Sequence, residues 1–397
     1  MKLLLLICVG LVVYTYLGYG LIVWLLIRLR PKKQSVLNQV GDFLPDVTLV
    51  IPAYNELNCL PDKVANSLGQ LYPRERIRYL FVTEGSTDGS DTWLHTHFGD
   101  SVDILGGTER RGKVAAINRA MQQITTPIVV FTDANTQLNP EAIGNIARHF
   151  QDPTIGAVAG EKRIQTAKDE LAAGSGEGLY WKYESQLKRW DAELYTIMGA
   201  AGELFAIRTE LYEPMSPDTI LDDFMLSLRI AERGYRVAYE PEAYALERPS
   251  FSIIDEQKRK IRIAAGGFQS MVWLKSLLNP FRHGWLTFEY VSHRVMRWAV
   301  TPFCLPLIIL LNGLIVIRDG MNSVWGLLFA GQIAFYGAAL LGYILEKRQL
   351  RLKAVFVPFY FTFMNGCALA GWVRYLRGKQ SGTWERVRRA KAIDALT

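Results

Sequence analysis

Four stretches without a single charged side chain constrain this chain more than any other feature: residues 3–27, 298–317, 320–345 and 354–373. As a helix, each is long enough to cross ~30 Å of hydrocarbon. Half of the 397 residues are hydrophobic, and the excess is concentrated in these stretches. An integral membrane protein is therefore expected. The first stretch far exceeds the roughly 7–15 apolar residues of a signal-peptide core, and no A-x-A site follows it. The run "RLRPKK" at 28–33 comes directly after it, which reads as a retained anchor with a cytoplasmic flank. The net charge of +7 gathers at the borders of the apolar stretches, in 28–33, 346–353 and 374–391. Basic residues placed there suit anionic lipid headgroups, so membrane lipids are expected partners. They are not interleaved with aromatics on one soluble face, so no nucleic-acid partner is expected. Cys8, Cys59, Cys304 and Cys367 form no close pair and no metal-ligand spacing, which argues against a disulfide framework.

Between about residues 46 and 249 the composition changes to that of a water-soluble domain. "VTLVIPAY" (47–54), "RYLFVTEG" (78–85), "VDILGG" (102–107) and "PIVVFTD" (127–133) are short apolar runs that end in polar residues or glycine. Helical patterns lie between them, near 56–70, 88–98 and 111–123. Such alternation implies βαβ units and a parallel sheet. Ligands of these sheets bind beyond the carboxyl ends of the strands. The polar side chains Asn55, Glu56, Glu84 and Asp133 stand at those ends. The expected division is an anchor at 1–30, a cytoplasmic α/β domain at 45–250 and interfacial amphipathic helices at 251–297. Transmembrane helices follow at 298–377, then a basic cytoplasmic tail at 378–397. One span before the domain and three after it would put the basic C-terminus outside, against the positive-inside tendency. The stretch 354–373, interrupted by Asn365 and Gly366, is the candidate for a re-entrant segment.

Six motifs occur in order: "IPAYNE", "VTEGSTDGS", "RRGKVAAIN", "TDAN", "GAAGELFAIR" and "LDDFMLSLRI". Together they resemble the membrane-bound family 2 glycosyltransferases, the group that contains hyaluronan, chitin, cellulose and poly-N-acetylglucosamine synthases. The resemblance implies an α/β, GT-A-like nucleotide-sugar domain with a mixed, mostly parallel sheet, joined to transmembrane and interfacial helices. It also implies a hexosyltransferase that moves sugar from a nucleotide sugar, a UDP-sugar before a GDP-sugar, to a polysaccharide or lipid acceptor.

Asp133 resembles the first acid of the family's D-x-D motif, and Asn135 stands where the second acid would be. A diphosphate repels a carboxylate unless a cation intervenes, so the resemblance makes Asp133 and Asn135 ligands of Mg²⁺ or Mn²⁺. A plain strand-ending turn is the structural alternative. By the same resemblance Ala53, Tyr54 and Glu56 contact the nucleoside. Glu84 replaces the usual Asp that accepts bonds from base or ribose, and Lys113 pairs with the nucleotide, a solvated surface lysine being its alternative. Ser86, Thr87 and Asp88 are alternatively helix-capping groups. Asp223 resembles the catalytic base and Asp222 its partner, which would orient it or raise its pKa. Their alternative is a helix N-cap pair. "GAAGELFAIR" would bring backbone close to the acceptor sugar.

The pattern departs from the family at "DEQKRKIR" (255–262). Processive relatives usually carry Q-x-x-R-W, and Ile261 follows the cations here. Arg259 and Arg262 are expected to reach the diphosphate, with lipid-headgroup contact as the alternative, while the acceptor-stacking Trp is missing. Trp384, in "SGTWERVRR", resembles a gating loop that closes over the nucleotide, and anchoring at the membrane surface is the alternative. Three readings stand: a polysaccharide synthase, a single transfer to lipid, and a silent nucleotide-sugar-binding or polymerase-accessory relative. Glu84 and Asn135 keep the last of these open.

Overall fold

The computed structural model describes residues 1–30, 43–164, 176–247, 252–348 and 352–378. They divide into two compact units. One holds residues 43–164 and 191–247, and the other holds 1–30, 176–190 and 252–378. Trp384 and its basic neighbours lie outside the described residues.

The first unit is built on an eight-stranded sheet in the order β3-β2-β1-β4-β7-β6-β8-β5. The strands are β1 (Val47–Ala53), β2 (Ile77–Thr83), β3 (Asp103–Leu105), β4 (Ile128–Thr132), β5 (Thr136–Leu138), β6 (Ile155–Ile164), β7 (Leu204–Arg208) and β8 (Arg236–Glu247). β1 and β4 are buried along their whole lengths, as expected for strands covered on both faces. β1 pairs in parallel with both β2 and β4, and β2 pairs in parallel with β3. This half matches the expected βαβ run, with helices Leu60–Leu68, Ser90–Phe98 and Lys113–Met121 between the strands. Beyond β4 the sheet becomes mixed: β7 is antiparallel to both β4 and β6, whereas β6 and β8 are parallel. Val47, Leu49, Ile51, Phe81, Ile128 and Val130 form the centre of the core. Burying each such side chain contributes about 1.5–3 kcal/mol.

Among the described residues, the second unit contains four helices long and apolar enough to cross a membrane: Lys2–Leu29, Trp285–Asp319, Val324–Lys347 and Ala354–Leu376. The last of these differs from expectation, because the helix runs through Asn365 and Gly366 without a break. The Asn365 amide is the reason: it donates to the Tyr16 hydroxyl (3.0 Å) and to the Phe361 carbonyl (2.9 Å), so no unwinding is needed to satisfy it. The helix Ile253–Trp273, expected at the interface, is capped by Ser252, whose Oγ accepts from Asp255 N. Its Ala264–Ser270 turns are buried, and Gly371 of the last helix meets Ala264 and Ile261 closely.

Residues 176–190 were expected within the α/β domain but pack with the apolar helices. Glu184 explains the difference, since its carboxylate accepts from Arg297 (2.5 Å) and bonds His293 (3.2 Å), with Arg294 at 3.5 Å. Burial opposes the charge on Glu184, but Arg297 and His293 outweigh it and hold the carboxyl well below its usual range. His293, Arg294 and Arg297 thus form an internal ion cluster with Glu184.

One glycine of the sheet unit packs where no side chain fits. Gly199 has φ +90°, and a Cβ there would lie 2.1 Å from Cδ2 of Phe224, the residue after Asp223. Gly199→Ala is expected to destabilise the protein by about 1–3 kcal/mol, from strain and overpacking together. A thermal-melt midpoint several degrees below wild type checks it, and an unchanged midpoint contradicts the packing.

Candidate active site

The carboxyl ends of β1, β2 and β4 gather on one side of the sheet. At the end of β1, Asn55 takes the left-handed conformation (φ 54°), which its short polar side chain tolerates. Asn55 Oδ1 accepts from Thr87 N (2.7 Å), and Asn55 N donates to Ser86 Oγ (3.1 Å). Asp88 accepts from Leu57 N and Ser90 N, both at 3.0 Å. Burial works against its charge, yet these bonds and the Ser90 hydroxyl keep the Asp88 carboxyl below its usual range. Ser86, Thr87 and Asp88 therefore tie the exit loops of β1 and β2 together. Helix Ser90–Phe98 has Gly89 as its N-cap with no side-chain cap, so of the expected capping role only the Asp88 bond to Ser90 N is found.

Ala53 is fully buried at the end of β1, and Glu56 is half-buried in the loop that follows. The Arg110 guanidinium lies 4.4 Å from the Tyr54 ring centroid, a cation–π contact covering one face of the ring. Glu84 is buried, and its Oε2 accepts from Arg119 Nη2 at 2.7 Å. The extra methylene relative to Asp lets Glu84 reach this helix cation. Arg119 also bonds the carbonyls of Thr83 and Gly106 and so fixes the floor of the loop.

Lys113 opens the helix Lys113–Met121 just after Gly112, whose φ is +95°. Its ammonium donates to Asp133 Oδ1 at 2.8 Å and stands 3.4 Å from Asp222 Oδ2. Asp133 leaves β4 in a tight turn closed by Thr136 N and Thr136 Oγ1, which both bond the Asp133 carbonyl. Asn135 is half-buried in the same turn. The turn alternative is thus correct as geometry, and it also carries Asp133 to the cluster. A Cβ added at Gly202 would lie 3.2 Å from Lys113 Nζ and 3.3 Å from Asp223 Oδ2. Three segments distant in sequence thus place Asp133, Asp222 and Asp223 around one ammonium.

Asp222 and Asp223 occupy the first turn of helix Asp222–Glu232, where the helix dipole favours carboxylates. The N-cap is Leu221 and no side chain caps it, so neither acid is the N-cap. Asp223 Oδ1 accepts from Phe224 N at 2.8 Å. Burial first, and then the Asp222 charge, push the Asp223 carboxyl up to about 7. Burial likewise raises Asp133, with Lys113 opposing it. Burial works against the Lys113 charge, but Asp133, Asp222 and Asp223 outweigh it and hold the ammonium above its ordinary range.

Among the described residues no group of three or more His, Cys, Asp or Glu side chains is arranged to hold a metal. The donor set offered by the Asp133 turn is one carboxylate and one neutral amide, with the Asp133 side chain 24% exposed. That set fits Mg²⁺ or Mn²⁺ where substrate phosphates and water supply the remaining ligands. It does not fit a cage made by the protein alone.

Arg259 and Arg262 lie in the apolar unit, on helix Ile253–Trp273. Arg259 pairs there with Glu256 at 3.3 Å, and Arg262 is half-buried. Sequence reasoning missed Arg110, Arg119 and Glu203. The Glu203 charge acts on both Asp133 and Asp223, and its carboxylate pairs with buried Lys162. Its position immediately after Gly202 in a quoted motif was the available signal.

Residues 48–215 match the family described as Glycosyl transferase family 2. The poly-beta-1,6-N-acetyl-D-glucosamine synthase of Staphylococcus aureus (strain MSSA476) is 26% identical over 241 residues, which is 58% of this chain and 57% of that protein. The N-acetylglucosaminyltransferase of Rhizobium sp. (strain N33) is 24% identical over 306 residues, 72% of this chain and 66% of that protein. The chain therefore spans little more than half the length of the first relative. A solved structure, the mannosyltransferase PcManGT from Pyrobaculum calidifontis in complex with GDP-Man and Mn²⁺, superposes with a TM-score of 0.68. It is 25% identical, and the match covers 95% of this chain and 100% of that one. With the fold, the ordered motifs and the family match in agreement, residues 48–215 are a glycosyltransferase family 2 domain of GT-A-like fold, carried on a chain with long apolar helices.

Proposed function

We propose that this protein is an inverting, metal-dependent glycosyltransferase. It extends a polysaccharide from a nucleotide sugar at the cytoplasmic face of a membrane. The observation that carries the reading is the cluster of Asp133, Asp222 and Asp223 around the Lys113 ammonium. A bound Mg²⁺ or Mn²⁺ held by Asp133 and Asn135 would neutralise charge developing on the departing nucleoside diphosphate.

The remaining chemistry belongs to the side chains. Asp223 takes the proton of the acceptor hydroxyl as that oxygen attacks the anomeric carbon, and a single displacement inverts the centre. Its carboxyl, raised to about 7, matches the requirement for a base working near neutral pH. Asp222 contributes to that raised value and shares Lys113 with Asp133. Lys113 balances the acids in the absence of donor and lies beside the position expected for the diphosphate. Gly202 leaves room for acceptor and donor to approach Asp223. Tyr54, Glu56, Ala53 and Glu84 line the nucleoside side in this reading, with Arg110 stacked on Tyr54. Arg259, Arg262 and Trp384 are assigned to diphosphate binding and closure on the family resemblance alone.

A second reading, transfer of one sugar to a lipid, is favoured by Ile261 at the position where processive relatives usually carry Trp. The likeness to a mannosyltransferase solved with GDP-Man, along nearly the whole chain, brings a GDP-sugar alongside a UDP-sugar as donor for either reading. Incubating membranes with labelled UDP- and GDP-sugars and sizing the products decides between the two. Long chains support the synthase, a single glycolipid supports the second reading, and no transfer with any donor contradicts both.

Asp223→Asn is expected to lower turnover by about 10²–10⁴-fold while leaving nucleotide binding within a few-fold of wild type. Unchanged turnover would remove the base assignment. The wild-type rate should rise with pH through about 7, because the base works as the carboxylate. In Lys113→Met the nearby cation is gone, so protonation of the acids is favoured. The acid limb should then move upward by about one unit or more. A limb that stays in place or moves down would show that Lys113 does not act on Asp223.

A further inference from the structure

Lys63 is 1% exposed, on the inward face of helix Leu60–Leu68 between buried Leu60, Val64 and Ser67. A lysine buried this deeply is costly unless its ammonium is bonded, and an apolar side chain would fill the same space without that penalty. The Lys63 ammonium donates to Thr132 Oγ1 at 3.0 Å and to the Thr136 carbonyl at 2.9 Å. Thr132 is the last residue of β4 and Thr136 the first of β5, so the two acceptors bracket Asp133, Ala134 and Asn135.

The bonds continue outward from these two threonines. Thr136 Oγ1 donates to the Asp133 carbonyl at 2.9 Å, and the two threonine hydroxyls stand 3.1 Å apart. Thr132 Oγ1 donates to the Glu203 carbonyl at 2.9 Å. Glu203 follows Gly202, the residue that approaches both Lys113 and Asp223. One buried ammonium thereby ties the Asp133 turn from beneath to the loop beside Asp223.

We infer that Lys63 is a positioning residue for sugar transfer, locking the Asp133–Asn135 turn and the Gly202–Glu203 loop in the relative placement that the reaction uses. The inference rests on the proposed transferase reading. Lys63 touches neither substrate nor metal and acts through Thr132 and Thr136. It therefore affects the placement of groups in the transition state more than donor affinity. Misplacement by about 1 Å can cost about 10²-fold in rate.

The test uses the full chain in detergent, with hydrogen exchange read on peptides covering 132–139 and 199–206. Lys63→Met keeps length and apolar bulk but loses the charge and both bonds. Exchange in both peptides is expected to quicken about tenfold, with the remaining peptides unchanged. Turnover at saturating donor and Mn²⁺ is expected to fall at least about tenfold, with donor KM within about threefold. Exchange in both peptides within about twofold of wild type overturns the inference, and so does unaltered turnover. If Lys63→Met does not fold, Thr132→Val removes the hydroxyl link in a side chain of equal size. It is expected to shift exchange and turnover in the same direction, and no shift overturns the inference. A wild-type protein inactive with every donor would overturn the reaction reading, while the exchange comparison would still decide whether Lys63 locks the two loops.

Discussion

Three carboxylates from two distant parts of the chain share one small volume because one ammonium stands among them. Lys113 bonds Asp133 at 2.8 Å, stands 3.4 Å from Asp222 and faces the same glycine as Asp223. Without that cation, like charges in a buried setting would force protonation or drive the segments apart. The rest of the sheet unit can be understood as what holds the partners in place. β4 delivers Asp133, a glycine with positive φ starts the Lys113 helix, and the first turn of Asp222–Glu232 presents the paired acids.

The two units solve different problems with related means. In the sheet unit, charge is concentrated at strand ends, where a polar ligand would meet it. In the apolar unit, Glu184 is surrounded by His293, Arg294 and Arg297, so its charges compensate one another internally. Such a cluster does more to fix the packing of helices than to add net stability, because desolvation offsets much of the attraction. Asn365 follows the same logic, and its bonds to Tyr16 and Phe361 keep a long apolar helix continuous.

Much of the first half of the fold was legible in the sequence, because parallel strands covered on both faces read as apolar runs ending in polar residues. The same rule placed Asp133, and the unusual "DD" before a helical repeat placed Asp222 and Asp223. The antiparallel insertion of β7 between β4 and β6 was not legible, since strand order depends on long-range pairing that no local pattern records. Residues 176–190 were misassigned because their partners, the cations at 293–297, lie about a hundred positions away. Lys63 was invisible for a different reason. A lysine in an amphipathic helix normally reads as solvated, whereas in the fold its ammonium lies under the Asp133 turn. The Glu84 ion pair with Arg119 was not legible either, because its partner lies 35 positions away.

The central claim is that the acids from β4 and from the Asp222–Glu232 helix serve one reactive carbon. The most direct measurement is a structure of the protein with a non-transferable nucleotide sugar and Mn²⁺. The account predicts the diphosphate and metal beside Asp133 and Asn135, with Asp223 across the anomeric carbon from the leaving oxygen. A donor seated elsewhere, or Asp133 and Asp223 facing different parts of it with no shared carbon between them, would contradict it.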